Sequence, residues 1–102
     1  MRVTGAKYRR TVQQHLRRFQ PKEYKRAKRD GDLGRRVNDL AVSIANWVNS
    51  QIPDAVVGET PAATLRRQSA ALLMAESDAL REYLPRDERD DELIGPSGGY
   101  EN

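Results

Sequence analysis

The chain has 102 residues, 37% of them hydrophobic and 32% charged, with no cysteine and a formal net charge of +3. A chain of this length is expected to form one domain around at most one modest core. Without cysteine it has no disulfide framework, no thiolate nucleophile and no cysteine-based zinc site, which agrees with a reducing compartment.

The small net charge conceals a division. Residues 1–36 hold thirteen Lys or Arg against three acids, while residues 37–102 hold five against twelve. Such asymmetry points to a polyanion-binding end beside a tail or partner-binding end. Leu, Ile, Val and Phe together number 20, close to the roughly 20% line below which highly charged chains stay disordered, so part of the chain is expected to be tail. The opening residues lack the apolar stretch of a signal peptide, and no segment approaches the roughly 20 apolar residues of a membrane span. The expectation is a cytoplasmic protein, or one carried inside a particle, with no membrane partner.

Glycine and proline punctuate the chain, and the apolar residues between them recur at helical spacing without strand-like alternation. The predicted class is all-α: a small helical bundle of three main helices plus one short helical segment over residues 1–84. A flexible, acidic, glycine-rich tail follows over residues 85–102.

Thr4 is an acceptable cap for a first helix that lines up Tyr8, Val12, His15, Leu16 and Phe19 on one face. Its other face carries Arg10, Gln13, Gln14, Arg17 and Arg18, with Arg9 beside them. Pro21 suits the first position of a new short helix, and Gly31 is placed to end it. At about 100° per residue, Lys22, Lys25, Arg26 and Arg29 gather within a roughly 100° arc, with Tyr24 and Ala27 opposite.

Asp32 can cap a third helix whose stripe is Leu33, Val37, Leu40, Ala41, Ile44, Val48 and Ile52. Arg35 and Arg36 extend the basic region into its first turn. Its remaining face, with Val42, Ser43, Asn46, Asn49 and Ser50, is polar but scarcely charged, so this helix is expected to be covered on more than one side. Thr60-Pro61 is a strong helix start and Pro85 a stop. The stripe between them is Leu65, Leu72, Leu73, Ala79, Leu80 and Tyr83. Ala70, Ala71, Met74 and their neighbours make residues 68–75 a surface that another helix can approach closely. Alanine's helix propensity accounts for the same residues without a partner.

Material for catalysis is thin. His15 is the one histidine, and an acid–base pair would need it to meet Glu76, which falls inside the stripe of the last helix. Asp30-Gly31-Asp32 lacks the rest of a calcium loop and is better explained as a helix stop and the next cap. Among the tail acids Asp87, Glu88, Asp90, Asp91 and Glu92 lie Arg86 and Arg89. The reading is therefore not an enzyme, with no metal, no cofactor and no small-molecule substrate.

The basic surface has a concrete physical use. Lys and Arg neutralise phosphates, and Arg and Gln are side chains that read guanine and adenine edges. The expected function is a non-enzymatic, nucleic-acid-binding accessory protein, on DNA or RNA, using Arg9, Arg10, Gln13, Gln14, Arg17, Arg18, Lys22, Lys25, Arg26, Arg29, Arg35 and Arg36. The alternative is an oligomeric structural or adaptor subunit, a homo-oligomer or part of a larger protein complex. It would act through Val42, Asn46, Asn49, Ala70, Ala71 and Met74 and through the tail. The chain's own acidic tail is the main rival for the basic end.

Overall fold

The computed structural model describes residues 1–85, within which the chain forms four helices and no strand. These are α1 (Ala6–Phe19), α2 (Pro21–Asp30), α3 (Leu33–Gln51) and α4 (Pro61–Tyr83). The predicted tail, from residue 86 onward, lies outside the described residues.

The first helix begins two residues past Thr4. Gly5 precedes it, no side chain caps it, and Thr4 contributes its carbonyl, which accepts the Lys7 amide at 3.1 Å. The backbone passes close to α3 here: a Cβ at position 5 would stand 3.0 Å from Val42 Cγ2. Glycine there lets the chain start flat against α3. Just upstream, the Val3 amide donates to Asn49 Oδ1 at 2.8 Å, and Asn49 Nδ2 returns a bond to the Val3 carbonyl at 2.8 Å. One side-chain amide thus satisfies both backbone groups of a residue that lies in no helix.

Pro21 opens α2, where its missing N–H costs no intrahelical bond, and Gly31 closes it with a φ of 80°. The Asp32 amide donates to the Ala27 carbonyl at 2.8 Å and the Gly31 amide to the Lys28 carbonyl at 3.3 Å, the double bond pattern of a Schellman stop. Asp32 does precede α3, but its side chain makes no capping bond and faces Arg35 Nη2 at 3.6 Å. Thr60 does cap α4, its hydroxyl oxygen accepting the Ala63 amide at 3.1 Å.

The core is built around α3. Val37, Ala41, Ile44, Ala45 and Val48 are buried there, between Tyr8, Val12 and Leu16 of α1 on one side and Ala75 and Ala79 of α4 on the other. α2 packs on α1 and α3 through buried Ala27, with Tyr24 half-buried at the edge of the core. Leu16, Ile44, Val12 and Val48 are the largest fully enclosed side chains. Each contributes about 1.5–3 kcal/mol relative to exposure.

The fourth helix differs from its sequence pattern. The predicted stripe is buried at Ala79, but its Leu65 and Leu73 are 57% and 68% exposed, and Ala75, outside that stripe, is buried. The reason is complementarity of size. Small side chains at Ala75 and Ala79 let α4 approach α3 closely. Leu72, Leu80 and Tyr83 border this contact half-buried.

A compact loop joins α3 to α4. Glu59 accepts from Arg67 Nε at 2.9 Å and Nη2 at 2.8 Å, from the Thr64 hydroxyl at 2.8 Å and from the Val56 amide at 3.1 Å. Arg67 and Gln68 reach back to the carbonyls of Asp54 and Pro53. These donors, Arg67 foremost, hold the Glu59 carboxyl down to about 2. No helix among the described residues is long and apolar enough to cross a membrane.

Candidate nucleic-acid interface

The amphipathic spacing of α1 that buries Tyr8, Val12 and Leu16 necessarily turns the intervening residues outward. Arg9, Arg10, Gln13, Gln14, Arg17 and Arg18 are all exposed. At 1.5 Å per residue, Arg10 and Arg17 stand about 10 Å apart along the axis, on nearly the same side. Arg10, Gln13, Gln14 and Arg17 line one shallow concavity. Arg17 also lines a second, with Pro21, Tyr24, Lys25 and Lys28, where α1 bends into α2. The two hollows therefore meet at one arginine.

Among the described residues, Arg9, Arg10, Arg17, Lys25 and Lys28 have no acidic partner; Arg18 has none either, and lays its guanidinium over the Phe19 ring at 5.1 Å. The rest of the predicted basic set is differently placed. Arg26 bonds Glu23 and also Asp30, the latter at 3.1 Å, as i,i+3 and i,i+4 neighbours on one helix. Arg29 meets Asp30 at 3.3 Å, and Arg35 lies 3.6 Å from Asp32 and 3.7 Å from Asp39. Arg36 Nε is 3.4 Å from Glu23 without the alignment of a hydrogen bond. The Arg26 guanidinium, with Arg36 assisting, holds the Glu23 carboxyl below its ordinary value. Lys22 is exposed on the first turn of α2.

Lys28 belongs to this surface but was not among the residues singled out from the sequence. The signal was present, since Lys28 lies one turn beyond Tyr24 and three residues beyond Lys25. Treating the Tyr24 side of α2 as wholly inward hid it; Tyr24 sits at the rim, so the next turn of that side emerges into the bend.

His15 and Glu76 have separate partners. His15 Nε2 lies 2.7 Å from the Pro85 carbonyl, to which it donates, and its ring packs on Phe19 with centroids 4.8 Å apart. Glu76 accepts from the Tyr8 hydroxyl at 2.7 Å and pairs with Lys7 at 2.7 Å. Burial pushes the Glu76 carboxyl up, but Lys7 and Tyr8 together bring it below its ordinary value, while burial and the same carboxylate push the Tyr8 phenol well above its own. Asp30 and Asp32 flank the left-handed Gly31 and are engaged by arginines.

The residues considered for protein contact also divide. Asn49 is taken up by Val3, and Val42 lies against Gly5 although partly exposed. Asn46 and Ala70 are exposed, Ala71 is half-buried and Met74 is 71% exposed. Ala71 and Met74 share a hollow between α3 and α4 with Trp47, Gln51, Ala75 and Asp78.

Comparison with known proteins adds no name to this surface: no family model matches the chain, and neither a curated protein nor a solved structure matches it.

Proposed function

We propose that this is a non-enzymatic, nucleic-acid-binding accessory protein that grips phosphates with the outer face of α1 and the adjoining bend into α2. One observation carries the reading: Arg10, Arg17, Lys25 and Lys28, which have no acidic partner among the described residues, line two hollows joined at Arg17, and the equally unpaired Arg9 and Arg18 are exposed on the same helix as Arg10 and Arg17. Unpaired cations on one surface raise the local concentration of a polyanion and release its counterions on contact. The helices then act as a small bundle in which α3 is the support and α1 the contact element.

The test is a salt titration of binding to labelled oligonucleotides. With Arg9, Arg10, Arg17, Arg18, Lys25 and Lys28 on phosphates, log K falls against log salt with a slope of about −4 to −5. A flat salt dependence, or binding unchanged by Arg10→Glu with Arg17→Glu, overturns the reading.

A second reading has its own support, the exposed Leu65, Leu73 and Met74 on α4. Large apolar side chains on one helix suit an oligomeric or adaptor role. Light scattering checks it: an assembly dispersed by Leu73→Glu supports that role, and a monomer at high concentration counts against self-association.

A further inference from the structure

The bend between α1 and α2 holds an aromatic ring among cations. Tyr24 shares its hollow with Arg17, Pro21, Lys25 and Lys28. It is half-buried, with one side on the core, and its hydroxyl has no hydrogen-bond partner among the described residues. The nearby aromatic groups are committed elsewhere. Tyr8 is buried and bonded to Glu76, while Phe19 is packed against the His15 ring and the Arg18 guanidinium. Among the described residues on this side of the molecule, Tyr24 is the ring left with no stacking partner.

We infer that this bend takes an unstacked nucleotide of a single-stranded nucleic acid, its base against Tyr24 and the flanking phosphates on Arg17, Lys25 and Lys28. The inference rests on the nucleic-acid reading above and narrows it to single strands. A duplex presents phosphates and base edges, with its base faces already stacked on one another, so an aromatic ring set in a hollow has nothing to receive from it. A single strand offers base faces, and an aromatic platform beside a cationic track is a sequence-tolerant means of holding them. Lys25 and Lys28 are neighbours across one turn of α2, and Arg17 closes the hollow from α1, which puts positive charge on both sides of the ring.

The experiment is fluorescence anisotropy on the full chain with three labelled probes: a single strand, the same length of abasic strand, and the corresponding duplex. The single strand is expected to bind about 5- to 150-fold more tightly than the abasic strand, the range of one stacked base. Tyr24→Leu, which keeps apolar volume at the rim of the core, is expected to remove that difference and leave duplex binding unaltered. Equal binding of the single and abasic strands by the wild-type chain overturns the inference, and needs no variant that must fold. If those two probes bind equally while Arg10→Glu with Arg17→Glu abolishes both, phosphate gripping stands and the Tyr24 site falls. If none of the three probes binds, both readings fall together.

Discussion

Two stretches of this protein are almost equally rich in arginine and lysine, and they differ in what surrounds each charge. On α1, the residues between Arg9 and Arg18 include no acid, so the helix's i,i+3 and i,i+4 positions give its outward cations no anionic neighbour. From Arg26 to Arg36 every arginine has an acid beside it: Arg26 and Arg35 pair one turn away with Glu23, Asp30, Asp32 and Asp39, Arg29 pairs with the adjacent Asp30, and Arg36 meets Glu23 across the α2–α3 contact. Density of positive charge in a sequence is therefore a poor guide to an anion-binding surface. Placement of the acids decides whether a cation is available.

The widest separation between the two stretches should come from charge reversal. Arg10→Glu with Arg17→Glu is expected to weaken nucleic-acid binding about a hundredfold, as the loss of two charged hydrogen bonds implies. Arg26→Glu with Arg35→Glu, measured alongside by anisotropy, should change it only a few-fold because those cations are already paired. Similar losses from both pairs would erase the distinction.

A smaller effect tests the inner edge of α1, where Lys7 and Tyr8 are tied to α4 through Glu76. Tyr8→Phe removes the hydroxyl and should cost about 1–2 kcal/mol in chemical denaturation while leaving the outer face, and hence oligonucleotide binding, intact. Smaller again is the release of paired arginines. Glu23→Gln takes the charged acceptor away from Arg26 and Arg36, so binding should tighten a few-fold and the salt slope steepen by up to about one.

The slightest effect has a pH signature, on the acidic side of the chain. Glu59 is held at about 2 by Arg67, against an ordinary value of 4.5. Its contribution to stability is therefore complete above pH 4.5 and is lost as the pH falls through that window toward 2. Acid titration of the melting temperature should show a shallower fall for Glu59→Gln than for the wild type. An unchanged acid limb would mean that the Glu59–Arg67 pairing adds nothing to the fold.

Local chemistry by itself determined a good part of this protein. Pro21 and Gly31 delimit α2, Thr60 and Pro61 start α4, and the stripes of α1 and α3 name most of the core, because caps, breakers and 3.6-residue periodicity act over a few neighbouring residues. Tertiary structure alone decided the rest. The stripe of α4 held at Leu72, Ala79, Leu80 and Tyr83, but packing against α3 buried Ala75 and left Leu65 and Leu73 exposed. Gly5 stands at the start of α1 where a Cβ would meet Val42 across space. Asn49 reads as a surface amide until Val3 lies beside it. For the basic surface, the sequence determined that α1 has no acid within a helical turn of its outward arginines. Only the bend at Gln20 joined Arg17 to Tyr24, Lys25 and Lys28, since the angle between two helices depends on what both of them pack against.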